Sequence, residues 1–263
     1  MPSYRPVTAT LRGLEVLSAT SRLGSRASLA EIHRLTELDK STILRMLETL
    51  EHAGFVVRDD DRRSWQVTGK TLQLSAGYDR HRAVGTIVAP TLAAFRTKVG
   101  WPSDVALFDH DSMLVVETSR EPGPMFLNRL PGYRAPVLAT SIGLSYLAHC
   151  PAGEREAFLA RVAGDPAPWN ALARDPKGAE EVFAEIRERG YAEMTPSYST
   201  GEYDGLISSI GVPIMRDGKV YAAMNTLYLL NALTPARAVA TLLEPLKATA
   251  DRLAADLARY SAE

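Results

Sequence analysis

The chain has 263 residues, 46% of them hydrophobic and 23% charged, with a net charge of −1. This balance is typical of globular proteins, excludes a disordered polyelectrolyte, and gives no overall attraction to nucleic acid. No apolar run approaches the roughly 18 residues that a membrane span needs. The single cysteine, Cys150, excludes an intrachain disulfide and matches no metal-binding spacing. We therefore expect a reducing, cytoplasmic compartment, with no membrane partner and no cofactor or metal.

Charge is distributed unevenly along the chain. Residues 1–82 hold 13 Lys and Arg against 10 Asp and Glu, and the remainder holds 17 against 21. This mild asymmetry agrees with a DNA-binding N-terminal part but does not establish one.

The first predicted element is a helix that follows a flexible arm at residues 1–6. Apolar residues in the segment from Val7 to Thr20 recur at helical spacing, which favours one buried face. That face contains Leu11, Leu14, Val16 and Leu17, with Val7 as a further member. A polar loop with Gly24 then leads to Ser28.

A second, short helix is predicted from Leu29 to Thr36. Ser28 is a favourable N-cap and Glu31 lies three residues later, which is the pattern of a capping box. We expect this helix to bury Leu29, Ile32 and Leu35.

A third helix is predicted to begin after Asp39, whose carboxylate can accept from the free amides of Ser41 or Thr42. Ile43, Leu47 and Leu50 form its apolar face. Gly54 ends the helix in the left-handed conformation that glycine adopts at low cost. The opposite face carries short hydroxyl side chains at the first turn and an arginine one turn later.

Two strands are predicted after the third helix, at residues 55–58 and 65–68. Residues 59–64 connect them as a wing tip, where Arg62 and Arg63 can reach phosphates or the minor groove. The three aspartates at 59–61 oppose this, so their side chains should point away from DNA. The alternative is a solvated hairpin loop with no nucleic-acid role.

Two short helices, a tight turn and a hairpin predict a winged helix-turn-helix. Short hydroxyl side chains can bond phosphates and base edges, and an arginine can form two hydrogen bonds to a guanine. The candidate DNA-binding residues are Ser28, Lys40, Ser41, Thr42, Arg45, Thr49, Arg62 and Arg63.

The rest of the chain predicts a second, α+β domain. We place the winged helix-turn-helix domain at residues 1–68, a linker helix at 69–83 and the second domain at 84–263. Further helices are expected at 84–99 (with a kink or break near Ala89, before Pro90), 141–149, 151–162, 176–189 and 235–260. Strands are expected at 105–108, 113–118, 125–130, 207–214 and 220–227. Helices that flank an antiparallel sheet give an α+β class.

Several stretches of the chain resemble one family. The segment 38–56, with Lys40-Ser41-Thr42, Arg45 and a closing Gly54, resembles the recognition helix of the IclR family of bacterial transcriptional regulators. The small-residue stretch 139–143 and the hairpin segments 210–214 and 218–223 resemble the family's second domain, so the resemblance covers essentially the whole chain.

The resemblance implies a GAF-like effector-binding domain and binding to a double-stranded DNA operator as a homodimer or a dimer of dimers. A small organic acid would control the regulator, and RNA polymerase is a further candidate partner. Segments 101–105, 116–118, 132–136 and 220–228 are similar to regulators of aromatic-acid catabolism, of the 3-(3-hydroxyphenyl)propionate, protocatechuate and 4-hydroxybenzoate type. Many members carry a paired acidic motif before the last hairpin, whereas Thr200-Gly201-Glu202-Tyr203 has one acid. The effector contacts of other members therefore do not transfer wholesale.

An aromatic carboxylate needs a cation or a set of amides for its charge, and an apolar slot for its ring. The helix that starts near Ser141 offers amides and a positive dipole end. Arg120, Arg129 and Arg134 precede that helix, and we favour Arg134 because the resembling subgroup shares it. The candidate effector-binding residues are Trp101, Asp104, Met113, Arg134, Ser141, Ile142, Ser209, Asn225 and Leu227.

Each of these residues also has a purely structural interpretation. A loop arginine more often forms a surface ion pair, Trp101 is equally a packing residue, and Asp104 can cap a turn. Ser141 is expected to be a helix N-cap whether or not it also contacts an effector. The pair His149-Cys150 reads as a buried helix end rather than a nucleophile, because no base or oxyanion arrangement accompanies it.

Three classes of function remain for comparison. A regulator that senses a small organic acid is favoured. A small-molecule enzyme with an accessory winged-helix domain is disfavoured because no catalytic constellation can be named. A protein–protein module without a DNA role is disfavoured by the short side chains on the face from Lys40 to Arg45.

Overall fold

The computed structural model describes residues 5–24, 27–59, 63–75, 79–118 and 131–261. The chain divides into two compact units, Met1–Asp79 and Arg80–Glu263. Arg62, Arg120, Arg129 and the strand predicted at 125–130 lie outside the described residues.

The N-terminal unit is a winged helix-turn-helix, as predicted. Its helices are α1 (Thr8–Leu23), α2 (Leu29–Thr36) and α3 (Lys40–His52). Its antiparallel sheet has the order β1-β3-β2, formed by β1 (Ala27–Ser28), β2 (Val56–Asp59) and β3 (Ser64–Val67). The sequence analysis missed β1, a two-residue strand too short to show an alternating pattern.

The face that α1 buries differs from the prediction. Val16 is fully buried and Ala19 nearly so, and both join the core formed by α2, α3 and the sheet. Leu11 and Leu14, which the prediction placed in this core, are each 55% exposed. Helix α1 therefore has two apolar edges. The edge with Val16 and Ala19 packs within the unit, and the edge with Leu11 and Leu14 does not.

Two details of α2 also correct the prediction. Ser28 caps the helix, since its hydroxyl accepts from the Glu31 amide at 3.3 Å. The carboxylate of Glu31 pairs with Arg34 instead of returning to Ser28, so the described contacts form half of a capping box. Ile32 is buried as expected, but Leu35 is 40% exposed.

The segment after the wing does not form one linker helix. Residues Gly69–Ser75 form a 3-10 helix, and α4 runs from Asp79 to Val99. The ammonium group of Lys70 donates to the Ala53 carbonyl at 2.8 Å, which ties the 3-10 helix to the C-terminus of α3. Pro90 lies inside α4, and the helix continues past it, so of the predicted kink or break the break is absent.

The C-terminal unit is built around a six-stranded antiparallel sheet with the order β6-β5-β4-β9-β8-β7. The strands are β4 (Ser103–Asp109), β5 (Ser112–Thr118), β6 (Arg134–Pro136), β7 (Ala192–Glu193), β8 (Ile207–Arg216) and β9 (Lys219–Leu229). The central hairpin of β8 and β9 turns at Asp217-Gly218, as the sequence predicts. The short edge strands β6 and β7 were not predicted.

Helices cover both faces of this sheet. On one face, α4 and α9 (Pro235–Tyr260) pack with the strands in a continuous apolar core. On the other face lies α5 (Ser141–His149), which is almost wholly buried. Beyond it are α6 (Ala152–Val162), a 3-10 helix (Pro168–Arg174), α7 (Pro176–Arg189) and α8 (Pro196–Tyr203). The fold class is α+β, as predicted.

Within the described residues, the helices include none with the length and apolar character that crossing a membrane requires.

Candidate DNA interface and effector site

The start of α3 is organised by Asp39. Its carboxylate accepts from the Thr42 amide at 2.8 Å and from the hydroxyls of Ser41 and Thr42, each at 2.6 Å. These hydrogen bonds, that from Ser41 first, hold the pKa of Asp39 well below its usual range. The predicted N-cap is thus present, but both candidate DNA-binding hydroxyls already donate to a carboxylate. Donation to a phosphate requires each hydroxyl to leave Asp39.

The cations of α3 are available in a different way. Lys40 and Arg45 are exposed, and among the described residues neither side chain has a hydrogen-bond or ion-pair partner. Arg45 borders a shallow groove of about 360 Å³ whose other lining residues include Glu48, Thr49 and His52. The Thr49 hydroxyl donates to the Arg45 carbonyl at 2.7 Å, so its proton is used within the helix. The guanidinium of Arg45, unlike the Thr49 hydroxyl, therefore has its hydrogen-bond donors available on this face.

The wing positions one further predicted cation. Arg63 is exposed at the turn before β3, with a φ of 49°. Asp59 lies on β2, where its carboxylate accepts from the Gln66 amide at 3.5 Å. This contact keeps one of the three wing aspartates within the sheet. On α2, the hydroxyl of Ser28 serves as a helix cap.

In the C-terminal unit, a row of polar side chains crosses the sheet on the face that α5 covers. Thr118 pairs with Asp104, Asp104 with Asn225, and Asn225 with Gly211 in successive strands. Residues directly opposite in antiparallel strands share a face, so these side chains lie side by side. The Asp104 carboxylate accepts from the Thr118 hydroxyl at 2.6 Å, and the Asn225 side chain accepts from the Asp104 amide at 2.9 Å. Asp104 is 1% exposed, so it is a buried sheet residue and not a turn cap.

A buried serine pair lies beside this row. The hydroxyls of Ser141, at the start of α5, and Ser209, on β8, are 2.7 Å apart, and both residues are fully buried. Thr140 caps α5 by accepting from the Gly143 amide at 3.3 Å. Because Thr140 performs the capping, the Ser141 hydroxyl remains available to Ser209.

Two glycines allow this close approach. A Cβ atom added at Gly211 would lie 2.6 Å from the Ser141 carbonyl oxygen, and one at Gly143 would lie 2.1 Å from the Val137 carbonyl oxygen. Real Cβ atoms essentially never approach this closely. Gly211 therefore lets the start of α5 lie against β8, and Gly143 lets the loop at Val137 lie against α5.

Aromatic side chains surround Leu227, which lies opposite Ser209. The ring of Tyr198 meets Trp169 and Tyr203 edge to face, with centroids 5.9 and 6.0 Å apart. The hydroxyls of Tyr198 and Tyr133 are 2.9 Å apart. Together these groups form an apolar wall with polar ends, the combination that an aromatic acid requires.

The remaining candidates are dispersed. Trp101 packs against the cluster on the α4 and α9 face of the sheet, so it does not wall the site at Ser141. Met113 and Ile142 are fully buried in the core between α5 and the sheet.

Arg134 forms ion pairs with Asp109 and Asp111 on the hairpin that β6 borders. Burial lowers the pKa of Arg134, but its hydrogen bonds to these carboxylates outweigh burial, and the net shift of the pKa is upward. Two negative charges offset one positive charge there, which makes Arg134 a poor seat for a third carboxylate.

The helix end at His149-Cys150 is buried at Cys150, as predicted, whereas His149 is only half-buried. Cys150 is 5% exposed, and burial raises the pKa of its thiol to about 11. Burial also lowers the pKa of His149, whose Nδ1 lies 2.9 Å from the Ser145 carbonyl oxygen. Neither group is activated for nucleophilic chemistry.

Sequence reasoning missed Thr118, Tyr133, Trp169, Tyr198 and Tyr203. Thr118 carries no signal until its partner strand is known. Tyr198 and Tyr203 lie near Gly201, in a segment whose single acid departs from the family's paired acidic motif. The signal available there was the density of aromatic residues, since Tyr198 and Tyr203 share one eight-residue helix.

Comparison with known proteins agrees with this architecture. A family profile described as the IclR helix-turn-helix domain matches residues 9–60, and one described as the bacterial transcriptional regulator IclR C-terminal matches residues 77–255. The chain is 24% identical over 210 residues to the probable transcriptional regulator SauR of Cupriavidus necator, covering 80% of this chain and 81% of SauR. It is 25% identical over 221 residues to the Pca regulon regulatory protein of Pseudomonas putida, covering 83% of this chain and 73% of that protein.

A solved structure shares the fold. It is an IclR homologue from Microbacterium hydrocarbonoxydans in complex with 4-hydroxybenzoate, with a TM-score of 0.64 and 22% identity, covering 95% of this chain and 99% of that one. The two profiles together span both units of the chain. The chain therefore belongs to the IclR family of bacterial transcriptional regulators, with a DNA-binding helix-turn-helix domain and a C-terminal ligand-binding domain.

Proposed function

We propose that this regulator reads its operator with α3 and the wing, and that a small aromatic carboxylate bound beside α5 modulates promoter activity of a catabolic operon. The observation that carries the effector part is the buried serine pair at the N-terminus of α5, next to the wall formed by Tyr198, Trp169 and Tyr203. The amides and positive dipole end of α5 would receive the carboxylate. The aromatic wall would receive the ring.

Two comparisons support an aromatic ligand. One structural relative is in complex with 4-hydroxybenzoate, and one sequence relative regulates the pca regulon. The polar row of Asp104, Thr118 and Asn225 would take a ring hydroxyl, because a buried carboxylate accepts a strong hydrogen bond from a phenol. We propose that binding favours one of two arrangements of the regulator, since an effector shifts an equilibrium only by its differential affinity.

For DNA, Arg45 is the principal base-reading candidate. Lys40 and Arg63 would bind phosphates. The hydroxyls of Ser41, Thr42 and Thr49 would donate to DNA only after breaking their present hydrogen bonds. Asp39 accepts from Ser41 and Thr42 in the free protein, so those two hydroxyls are weaker candidates than Lys40 and Arg45.

The DNA proposal is tested with Arg45→Ala on an operator selected from random duplex DNA by the wild-type protein. If Arg45 forms two hydrogen bonds to a base, specific binding at fixed salt should weaken by about 1–3 kcal/mol in the variant, and selectivity at one base pair should relax. Arg252→Ala, on an exposed part of α9, is the control because it removes the same charge. Unchanged affinity and sequence preference in Arg45→Ala would remove this residue from base readout.

The effector proposal is tested by thermal unfolding with benzoate and 4-hydroxybenzoate. The double variant Ser141→Ala/Ser209→Ala removes both partners of a buried hydrogen bond, which is often nearly neutral for stability. It should fold normally and lose the ligand-induced rise in Tm. Arg134→Ala should keep that rise, because two aspartates already neutralise this arginine. Loss of the rise in Arg134→Ala alone would instead put the carboxylate at Arg134, and no rise with either acid in the wild type would reject an aromatic effector.

A further inference from the structure

A second pocket lies at the edge of the C-terminal unit, away from the serine pair. Its volume is about 470 Å³, which is within the range of small-molecule sites. The lining comes from the turn between β4 and β5, from β6, from the end of α6 and from the 3-10 helix at Pro168–Arg174. None of Ser141, Ser209, Asn225 and Leu227 contributes to it.

The inner end of this pocket carries an unused hydroxyl. Ser112 is 7% exposed, and its Oγ has no hydrogen-bond partner among the described residues. Its neighbour across the strand pair is Pro136, which has no amide proton to offer. A buried polar atom without a partner is costly, and a ligand atom in the pocket would satisfy it.

The pocket also holds two opposite charges that do not neutralise each other. The guanidinium of Arg161 donates to the His110 carbonyl and has no carboxylate partner within the described part of the chain. The carboxylate of Asp165 accepts from the Ala167 amide at 2.8 Å, and no described cation pairs with it. Arg134, also at this pocket, is already paired with Asp109 and Asp111. Arg161 can therefore bind an anion and Asp165 a cation, and both line the same pocket.

The rest of the lining is apolar or amide. Val137 and Val162 are nearly fully buried, and half-buried Trp169 offers an aromatic surface. Asn170, 6% exposed, adds a side-chain amide to the polar groups. A ligand that fits all of these groups has an acid, an ammonium and an apolar body.

We propose that this pocket binds a free α-amino acid with an aromatic or large aliphatic side chain. Its carboxylate meets Arg161, its ammonium meets Asp165, and its side chain packs between Trp169 and the two valines. The Ser112 hydroxyl and the Asn170 amide complete the polar contacts. A pure carboxylate would gain no contact from Asp165 and would be repelled by it, and a pure amine would meet the same repulsion at Arg161. This pocket shares Trp169 with the aromatic wall of the proposed effector site, but the serine pair and the polar row of that site do not line it.

The test is isothermal titration of the full chain with L-phenylalanine, phenethylamine and 3-phenylpropionate. L-Phenylalanine should bind at least about tenfold more tightly than either single-charge analogue, since each analogue loses one charge-assisted contact. Arg161→Gln and Asp165→Asn should each weaken L-phenylalanine by about tenfold or more. Arg252→Gln, a matched exposed arginine on α9, should bind like the wild type.

Ser112→Ala provides a second variant. It removes a buried hydroxyl without a partner, so the Tm of the ligand-free protein should stay the same or rise while L-phenylalanine binding weakens. The proposal is overturned if L-phenylalanine does not bind at millimolar concentrations or binds equally to Arg161→Gln. It is also overturned if a single-charge analogue binds as tightly as L-phenylalanine and loses that binding when its own charge partner is changed, Arg161→Gln for 3-phenylpropionate or Asp165→Asn for phenethylamine.

Discussion

The carboxylate of Asp39 caps α3 and also accepts from two of the proposed DNA-binding hydroxyls. The carboxylate that starts the helix also holds the hydroxyls of Ser41 and Thr42 in the free protein. A phosphate that approaches these hydroxyls meets a negative charge as well as the two donors. If Ser41 and Thr42 contact the operator as proposed, they must exchange these hydrogen bonds for contacts to DNA, whereas Lys40 and Arg45 would need no such exchange.

Replacing Asp39 by Ala should destabilise the N-terminal unit and alter its response to acid. The folded-state pKa of Asp39 lies below its ordinary value of 3.8, so its stabilisation is fully present above that pH and is lost as the pH falls. The difference in Tm between wild type and variant should therefore be largest near neutral pH and shrink below about pH 4. Thermal melts followed by circular dichroism across this range measure it.

Glu48→Ala is the control for this experiment, because Glu48 is an exposed carboxylate of the same helix without a described partner. Its difference from wild type should not collapse over the same pH range. A constant difference for Asp39→Ala between neutral and acidic pH would show that the cap does not depend on the ionised carboxylate.

Arg134 shows what a sequence cannot provide at the residue scale. Its position before α5 suggested a carboxylate seat, but its partners are fixed by the pairing of β5 with β6 and by the turn between β4 and β5. The sequence predicts both strands of that hairpin and places aspartates at its tip. It does not reveal that β6 brings Arg134 to those aspartates, because a three-residue edge strand has no recognisable pattern.

At the scale of elements, α5 is positioned by two glycines rather than by its own apolar pattern. Its residues are almost all buried, so it shows no amphipathic period that would orient it. The close approach at Gly143 and Gly211 sets its distance from the preceding loop and from β8. Both glycines can be read from the sequence. The backbone atoms that approach them cannot, because Ser141 is distant from Gly211 along the chain and Val137 approaches Gly143 across a turn.

Gly143→Ala should destabilise the C-terminal unit although alanine is the better helix former. The new Cβ would meet the backbone of Val137 at 2.1 Å, so loop or helix must move, at a cost of about 1–3 kcal/mol or more. Gly153→Ala, in α6, is a matched control with open space around its Cβ position. It should raise the free energy of unfolding by at most about 0.5–1 kcal/mol, the mid-helix preference, because Gly153 lies in the first turn. Urea denaturation measures both changes, and equal effects of the two variants would contradict the close-packing argument.

The elements themselves were largely predictable. Helices α2, α5, α7 and α9 begin and end close to the predicted residues, because caps, prolines and closing glycines are local signals. The failures were short strands, the 3-10 helices and α8, whose existence depends on tertiary pairing. The candidate site divides in the same way. Asp104, Ser141, Ser209 and Asn225 were selected from the sequence, whereas Trp101, predicted as an effector-binding residue, packs against the cluster on the α4 and α9 face of the sheet.

At the scale of the whole molecule, the exposed edge of α1 bears on assembly. Val7, Leu11 and Leu14 are between 55% and 64% exposed and are spaced four and three residues apart, so they form one stripe along the helix. Apolar side chains grouped in this way mark an interaction surface more often than isolated ones do. Helix-turn-helix proteins commonly read two half-sites as dimers, so we propose that this stripe packs against the same stripe of a second copy.

The double variant Leu11→Glu/Leu14→Glu should weaken this dimer without unfolding the N-terminal unit. Both side chains lie outside the described core, and two added carboxylates per copy would face each other across a twofold interface. Light scattering over a dilution series should show dissociation at higher protein concentration than for wild type, and operator affinity should fall because two half-sites are no longer read together. The matched control is Leu72→Glu, which changes another exposed leucine of the same unit. If the double variant dissociates at the same concentration as wild type, α1 does not hold the dimer together, and the stripe must serve another partner.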